Sequence, residues 1–280
     1  MPELPEVESV RRLMASALIG QRLIDVEVVP DEIVCSGHST EEVDAALRNR
    51  VVTGVHRRGK FFWLTFDSPP VVFGHLGMAG WIREVGADSL RLHSHGEAPM
   101  DEENGRPRFL KLLMKAESGR QIAFTDSRRF ARIWLGEAAE TNDRVKKLGP
   151  DAFNEALSVA DFSKAIQKRK APIKAILLDQ ALMSGIGNWI ADEVLYHARI
   201  NPARIGTSIA DAEATRLHES IAYVLDLAVN VEADYTKFPE NWLFHHRWGG
   251  NKGADLIEGR EIQRDTVGGR TTAWVPAIQL

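Results

Sequence analysis

The chain has 280 residues, of which 44% are hydrophobic and 26% charged, a composition typical of globular proteins and a length sufficient for two domains. No stretch approaches the roughly 20 consecutive apolar residues of a membrane-spanning helix, so we expect no membrane association. The formal net charge of -4 disfavours a nucleic-acid partner only if charge is spread evenly, and basic residues instead cluster over residues 106–132 and 164–174.

The first half of the chain shows one helical segment followed by many short strands. Apolar residues at helical spacing predict a helix over residues 4–18, which Gly20 ends. Alternating patterns predict strands at residues 23–29, 51–55, 61–66, 71–73, 81–83, 109–114, 121–125 and 131–135, a turn at 56–60 and a polar loop at 88–106. Many short strands separated by turn signals are typical of a β-sandwich or barrel.

The second half is predicted to be helical and to end in a hairpin. Breakers at residues 141–143 and at Gly149-Pro150 indicate a hinge. Helices are predicted at residues 152–160, 162–169, 173–182, 188–198 and 210–229, and strands at 255–257, 261–265 and 271–275. The sequence therefore predicts an α+β protein with a β-sandwich domain at 1–137, a hinge at 138–150, a helical domain at 151–237 and a hairpin at 238–280.

The N-terminus offers a nucleophile. Removal of Met1 would leave Pro2 with a free secondary amine, and α-amino groups have a pKa near ~8, so a useful fraction is neutral at physiological pH. Its attack on an aldehyde-like carbon gives an iminium that acts as an electron sink for β-elimination. Glu3 and Glu6 beside it are suited to proton transfer. The alternative is that Pro2 and Pro5 simply begin a helix whose first turn favours acids.

Two glycine-containing turns are candidates for phosphate binding. The segment Ser184-Gly185-Ile186-Gly187-Asn188 places backbone N–H groups at a helix start, with the charge of Lys174 nearby. The tip Gly268-Gly269-Arg270 presents an arginine that can contact phosphate or enter a minor groove. An ordinary helix–helix turn and a simple hairpin turn are the alternatives.

A further pair of segments, residues 74–81 and 125–130, carries large side chains on tight turns. An enzyme that extrudes a base from duplex DNA must fill the gap it leaves, and Met78, Arg128 and Phe130 are suited to that. The alternative is that Met78 and Phe130 are core residues.

Together these groups resemble the formamidopyrimidine-DNA glycosylase family. Met1-Pro2-Glu3-Leu4-Pro5-Glu6-Val7-Glu8 resembles its N-terminal signature, and residues 177–193 look like its helix–two-turn–helix. Asp126-Ser127-Arg128-Arg129-Phe130 is similar to its Asp-Pro-Arg-Arg-Phe turn, and Gly269-Arg270-Thr271-Thr272 matches the tip of its C-terminal finger. The match runs in order from residue 2 to about residue 279.

The resemblance implies a fold and an activity. The fold is an N-terminal β-sandwich preceded by the Pro2 helix, then a helix–two-turn–helix domain with a β-hairpin finger, with DNA in the cleft between. The activity is that of a bifunctional DNA glycosylase and abasic-site lyase, working through a Pro2 Schiff base and β,δ-elimination. The implied partner is double-stranded DNA containing oxidised bases or abasic sites. A monomer without cofactor is expected.

The resemblance also implies a role for each matched residue. Pro2 attacks C1′ of the damaged nucleotide, Glu3 shuttles protons to the sugar ring oxygen, and Glu6 supports Glu3 or the nucleophile. Lys60 corresponds to a catalytic or phosphate-contacting lysine, and Arg270 joins the catalytic group from the finger tip. The residues expected to bind DNA are His75, Lys174, Asn188 and Arg264. The residues expected to fill the void are Met78, Arg128 and Phe130, with Arg128 pairing with the orphaned cytosine.

Two departures from the family pattern affect these expectations. The usual finger binds zinc through four cysteines, whereas Val275 and Ile278 stand at the last two positions and Cys35 is the only cysteine, so we expect a zincless finger and no metal. The segment 229–242 is shorter than the loop that covers the extruded base in 8-oxoguanine-specific members. Formamidopyrimidines and hydantoins are therefore favoured as substrates, with 8-oxoguanine as a further candidate.

Competing functions remain open from the sequence. An endonuclease VIII-like enzyme acting on oxidised pyrimidines is one, although Leu4 stands where that branch usually has Gly. A non-catalytic protein that binds damaged DNA is another, and a structural nucleic-acid protein is a third. The N-terminus lacks the basic and apolar regions of a secretory signal, so we expect the cytoplasm or nucleoid of a bacterium, or a eukaryotic nucleus.

Overall fold

The computed structural model describes residues 2–87, 101–248 and 255–280, so most of the predicted loop at 88–106 lies outside the described residues. The chain divides into two compact units. The N-terminal unit comprises Met1–Lys147 with Glu232–Thr236, and the C-terminal unit comprises Leu148–Val231 with Lys237–Leu280. No helix of the described residues is long and apolar enough to cross a membrane. The finer division into hinge, helical domain and finger stays a prediction.

The described part of the N-terminal unit contains two α-helices. Helix α1 spans Leu4–Leu18, as predicted, because its apolar residues at helical spacing are all buried on one face. Helix α2 spans Thr40–Leu47 and was not predicted. Its start is a capping box, in which Ser39 Oγ accepts from the Glu42 backbone N–H at 3.2 Å and Glu42 Oε2 accepts from the Ser39 N–H at 2.8 Å.

Eight strands of the N-terminal unit form two four-stranded antiparallel sheets, which confirms the predicted sandwich. In chain order the strands are β1 (Leu23–Val28), β2 (Gly54–Arg58), β3 (Phe61–Thr65), β4 (Val71–His75), β5 (Gly80–Glu84), β6 (Leu110–Ala116), β7 (Gln121–Asp126) and β8 (Arg132–Gly136). One sheet has the order β1-β6-β7-β5 and the other β2-β3-β4-β8. Strand β6 alternates buried and half-buried residues, and Phe62 of one sheet meets Phe124 of the other with ring centroids 6.2 Å apart.

The turn between β2 and β3 is tighter than predicted. The expected turn at residues 56–60 is a two-residue turn at Gly59 and Lys60, because β2 continues through Arg58. Gly59 has φ +57, the left-handed conformation that short hairpins require and glycine adopts without a Cβ penalty. Lys60 is thereby fixed at the tip of a hairpin.

Among its described residues, the C-terminal unit contains the α-helices α3 (Val159–Gln167), α4 (Ile173–Leu177), α5 (Asn188–Ala198) and α6 (Asp211–Asn230). The predicted helix at 152–160 was wrong. Asp151 Oδ1 accepts from the backbone N–H groups of Phe153 and Asn154 at 3.1 and 3.0 Å, a local turn that competes with helix formation. The predicted helix at 173–182 ends early, at Leu177.

The C-terminal unit also contains four short strands, β9 (Leu256–Ile257), β10 (Arg260–Glu261), β11 (Gln263–Val267) and β12 (Arg270–Trp274). Strands β11 and β12 form a hairpin around Gly268 and Gly269, both in the left-handed region with φ +60 and +74. Gly268 lies so close to α4 that an added Cβ would come within 2.8 Å of the Ala175 Cβ. The tip of the hairpin therefore rests on α4.

Apolar packing holds this hairpin. Val275, at a position where the family resemblance implies a zinc-binding cysteine, is fully buried in a cluster with Tyr196 and Leu243, and Ile278 packs against the same cluster. Both side chains are apolar and cannot ligate a metal. The residues present therefore do not fit a zinc site.

Candidate active site

The predicted nucleophile and its acids lie in the first turn of α1. Pro2 is buried, and the Glu3 and Glu6 residues are only 2% and 3% exposed. Glu6 Oε2 accepts from the Glu3 backbone N–H at 3.1 Å, so Glu6 fixes the backbone next to Pro2. Buried carboxylates beside an amine are suited to moving protons, because water does not compete for them.

A buried ion pair joins α1 to the hairpin tip that carries Lys60. Arg57 donates from Nε to Glu8 Oε2 at 3.0 Å and from Nη1 to the Gly59 carbonyl at 3.0 Å. Burial acts to raise the pKa of Glu8, but hydrogen bonds from Arg11 and Arg57 outweigh it and lower the pKa. This pair could not be predicted from the sequence, because its partners are 49 residues apart and no local pattern marks them.

His75 ends strand β4 and supports the turn that follows. Its Nδ1 accepts from the Gly77 backbone N–H at 3.0 Å, which leaves Nε2 as the donor of the neutral ring. Burial, reinforced by the charges of Lys60, Arg132 and Arg144, lowers the pKa of His75 to about 4. His75 is therefore neutral at physiological pH, and its predicted contact with DNA stays a prediction.

The three predicted void-filling residues lie together at one end of the sandwich. Arg128 Nη2 donates to the Met78 carbonyl at 2.9 Å, and its guanidinium lies 5.6 Å from the Phe130 ring centroid. Met78 and Phe130 are 41% and 46% exposed, so neither is a core residue. A Cβ on Gly77 would come within 2.3 Å of the Phe130 backbone, so only glycine permits the two turns to touch.

Asp126 fixes the turn that presents Arg128. Its Oδ1 accepts from the Arg128 backbone N–H at 2.9 Å and its Oδ2 from that of Ala131 at 2.6 Å. All four residues between Asp126 and Ala131 are exposed. The turn is thus held at its base while its side chains face solvent.

Lys174, in the C-terminal unit, is fully buried. Its ammonium group lies 2.6 Å from Asp192 Oδ1 and donates to Thr272 Oγ1 at 2.8 Å and to the Thr271 carbonyl at 3.0 Å. Asp192 Oδ2 also pairs with Arg247 at 2.7 Å. The ammonium therefore links α4 to the hairpin, and its predicted contact with a DNA phosphate stays a prediction.

The other predicted DNA-binding residues of this unit differ in how far they are engaged. Asn188 Nδ2 donates to the Thr271 carbonyl at 3.0 Å. Arg264 donates to the carbonyls of Arg247 and His246 at 3.2 and 2.8 Å and pairs with Asp255. Arg270 is exposed at the tip of the hairpin, beside the glycine pair. Of the two arginines, Arg270 is the more accessible to a ligand.

Metal ligation finds no support in the described residues. Residues 2–87, 101–248 and 255–280 contain no group of three or more His, Cys, Asp or Glu side chains that could hold a metal ion. The chemistry available is that of the Pro2 amine, the buried carboxylates of α1 and the basic groups at the turns.

Comparison with known proteins finds one family along most of the chain. The model of the formamidopyrimidine-DNA glycosylase N-terminal domain matches residues 1–133, and that of the H2TH domain of the same family matches residues 148–240. A formamidopyrimidine-DNA glycosylase of Arabidopsis thaliana is 38% identical over 279 residues, which cover 100% of this chain and 71% of the relative.

Two solved structures share the fold over the whole chain. The Lactococcus lactis formamidopyrimidine-DNA glycosylase, bound non-covalently to DNA with an abasic site, is 28% identical with a TM-score of 0.81 and 99% of both chains covered. MutM in complex with DNA containing carbocyclic 8-oxo-G is 28% identical with a TM-score of 0.80, and 100% of both chains is covered.

Proposed function

Because the chain belongs to the formamidopyrimidine-DNA glycosylase family and is therefore a DNA glycosylase of base excision repair, we propose that it cuts DNA through a covalent Pro2 intermediate. The protein acts as a monomer on double-stranded DNA that contains oxidised bases or abasic sites. One observation carries the proposal: Pro2 is followed at once by two almost fully buried carboxylates, and Glu6 accepts a hydrogen bond from the Glu3 backbone.

The chemistry follows from these groups. The Pro2 nitrogen bonds to C1′ as the glycosidic bond breaks, and the electron pair of that bond leaves with the base. Glu3 supplies the proton that the sugar ring oxygen needs for ring opening, which gives the iminium. Loss of a C2′ proton then expels the 3′ phosphate, and loss of the C4′ proton expels the 5′ phosphate. Water hydrolyses the iminium, which releases the sugar remnant as an unsaturated aldehyde and restores the Pro2 amine. The product is a one-nucleotide gap with phosphate at both ends.

Extrusion of the damaged nucleotide is assigned to the exposed turns of the N-terminal unit. Unstacking a base costs a few kcal/mol, and Met78, Arg128 and Phe130 offset part of it by filling the gap. Two contacts support that role: the Arg128 side chain donates to the Met78 backbone carbonyl and lies beside the Phe130 ring. Lys60, His75, Asn188, Arg264 and Arg270 are proposed to bind the backbone phosphates.

The proposed substrates are oxidised purines, with formamidopyrimidines and hydantoins preferred. Helix α6 ends at Asn230 and a short 3-10 turn at Tyr235–Lys237 follows, so this chain has little room for a long loop over the base. An excision panel tests the preference, using duplexes with formamidopyrimidine, hydantoin, 8-oxoguanine, thymine glycol or an abasic site. Faster excision of thymine glycol than of any purine would instead favour the endonuclease VIII-like alternative.

Borohydride trapping tests the nucleophile. Reduction of the iminium during turnover should give a stable enzyme–DNA adduct, and peptide mapping should find it on residue 2. A preparation whose N-terminal amine is blocked by a tag is the matched control, and it should neither trap nor cut DNA. An adduct on an internal residue such as Lys60 would overturn the proposal.

Glu3→Gln tests the proton transfer separately from binding. The change keeps the size of the side chain but removes the carboxylate, so base excision should be lost while affinity for lesion DNA is retained. Rapid-quench excision kinetics and a binding titration measure the two quantities. Excision at the parental rate would contradict the role of Glu3.

A further inference from the structure

The turn at residues 127–130 is exposed and carries a strained residue. Arg129 has φ +59, a left-handed conformation that side-chain-bearing residues adopt only when the surroundings enforce it. Asp126 holds the two ends of the turn through the backbone of Arg128 and Ala131, but it does not hold Arg129 itself. Arg132 Nη1 donates to the Arg129 carbonyl at 3.0 Å, which leaves the Arg129 side chain to be fixed by another group.

Asp31, just after strand β1, is that group. Its side chain is only 4% exposed, and Arg129 binds it in a bidentate manner, with Nε 2.9 Å from Oδ2 and Nη2 2.9 Å from Oδ1. Lys111 of β6 donates to Oδ2 at 2.8 Å, and the backbone N–H of Val34 donates to Oδ1 at 3.2 Å. The carboxylate thus joins β1, β6 and the turn.

The two adjacent arginines are directed to different partners. Arg129 binds Asp31, whereas Arg128 binds the Met78 carbonyl and lies beside Phe130. Arg129 is held by a bidentate ion pair, whereas the Arg128 guanidinium makes a single hydrogen bond to the backbone. Because the pair with Asp31 engages Arg129, it is Arg128 that remains beside Phe130 and can face the gap.

We propose that Asp31 is a positioning residue that holds Arg128 and Phe130 in register with the gap left by an extruded nucleotide, and so sets the preference for the opposite base. This inference rests on the proposed function. Arg128 can read the opposite base only if its guanidinium is held in one place, since a hydrogen-bonded base contact depends on both distance and angle.

The charge of Asp31 is secured by its neighbours. Burial acts to raise the pKa of this carboxyl, but hydrogen bonds from Arg129 and Lys111 outweigh it and hold the pKa well below its usual range. Asp31 stays ionised over the working pH range of the enzyme. A substitution, and not a change of pH, is therefore the way to remove it.

The test compares Asp31→Asn with the parent on duplexes that place one lesion opposite cytosine or opposite adenine. Asparagine keeps the size and an acceptor but loses the bidentate pair, so the cytosine preference should fall about 10-fold, the scale of one base contact. Strand cleavage at an abasic site in a single-stranded oligonucleotide should be unchanged, because no gap between paired strands needs filling. Asp25→Asn, which removes an exposed partner of Arg48, is the matched control.

Arg129→Ala keeps the test decisive if Asp31→Asn folds poorly, because the Arg129 side chain is 52% exposed. It should lower the same ratio, and the double variant should be no worse than either single one. An unchanged ratio in both variants would overturn the inference. An equal loss of single-stranded cleavage and duplex excision would also overturn it, since that result describes general destabilisation. Failure of the parent to cleave duplex DNA at an abasic site would count against the proposed function instead.

Discussion

Two aspartates, one in each unit, bind a lysine and an arginine each, and each supports a segment expected to touch DNA. Asp31 supports an exposed turn, and its side chain is 4% exposed while that of its partner Arg129 is 52% exposed. Asp192 supports the hairpin, and it is fully buried with Lys174 at 0% and Arg247 at 7%. The same set of charges therefore lies in two environments: the Asp31 cluster has a half-exposed arginine, and the Asp192 cluster is buried.

The difference in exposure decides what each cluster contributes. A half-exposed ion pair adds at most about 1 kcal/mol, so the contact between Asp31 and Arg129 orders a turn and contributes little to folding. Removing one member of a buried pair costs about 3–5 kcal/mol, because the other charges remain without a partner in a low dielectric. Charged residues near a binding surface therefore divide into those that contact the ligand and those that stabilise the fold.

The largest expected effect is that of Asp192→Asn. The change leaves Lys174 and Arg247 buried without a full counter-charge and weakens the hydrogen bond from the Ala273 N–H, so unfolding of the C-terminal unit should become easier by about 3–5 kcal/mol. Urea unfolding followed by circular dichroism measures it, and hydrogen exchange over residues 263–274 reports the hairpin. Asp226→Asn, on the exposed face of α6, is the control. If Asp192→Asn unfolded at the same urea concentration as the parent, the buried cluster would not contribute more to stability than the Asp31 cluster.

The next prediction distinguishes a cation that stabilises the fold, Lys174, from a cation that binds phosphate, Arg270. Lys174→Met should lower stability but leave the salt dependence of DNA binding unchanged, because its ammonium is enclosed by protein. Arg270→Ala is the matched opposite: the fold should persist, lesion processing should be lost, and the slope of log K against log salt should fall by about 0.9. If Lys174→Met also lowered the slope of log K against log salt, Lys174 would contact a DNA phosphate, as the sequence predicts.

Acid should loosen the N-terminal turn. His75 is neutral when folded, with a pKa of about 4, whereas an unfolded histidine has a pKa of about 6.5. Unfolding therefore takes up a proton below pH 6.5, so stability should fall between pH 6.5 and 4. Protonation would also break the hydrogen bond from the Gly77 N–H to Nδ1 and release the Met78 turn.

Thermal unfolding across that pH range checks this prediction. His75→Gln should show a smaller loss of stability on acidification than the parent, since glutamine binds no proton. His245→Gln, at an exposed position of the other unit, should follow the parental curve. If stability depended on pH in the same way in the parent and in His75→Gln, the environment of His75 would not cause the loss of stability in acid.

The smallest expected effect is that of metal removal. Val275 and Ile278 pack in an apolar cluster where the family resemblance implies cysteines, so exhaustive chelation should leave activity and stability unchanged. Elemental analysis should find no stoichiometric zinc. Activity that a chelator abolishes and zinc restores would show that the hairpin depends on a metal after all.

Much of the fold could be predicted because its signals are local. The bounds of α1 and α5 follow from apolar spacing and from the glycines that flank these helices. Helix α2 was missed, although the Ser39 and Glu42 pair is a recognisable capping box. The false helix at 152–160 failed because Asp151 offers the backbone a competing turn.

The candidate site was predictable to the same extent. Pro2, Glu3 and Glu6 are neighbours in the chain, so their proximity needed no tertiary structure. Asp31 and Arg129 are 98 residues apart, and Asp192 and Arg247 are 55 apart, so no local pattern in a single sequence joins them.

By itself the sequence determined the chemistry on offer: a secondary amine beside paired carboxylates, an arginine at a glycine-flanked hairpin tip, and large side chains on tight turns. Only the tertiary structure decided which cations remain available. The sequence predicts that Lys174 and Arg270 both bind phosphate. In the structure Lys174 is buried with Asp192, whereas Arg270 is exposed. The physical reason is that the cost of burying a charge depends on partners brought from distant segments, and the free energy of that arrangement is set by the whole fold.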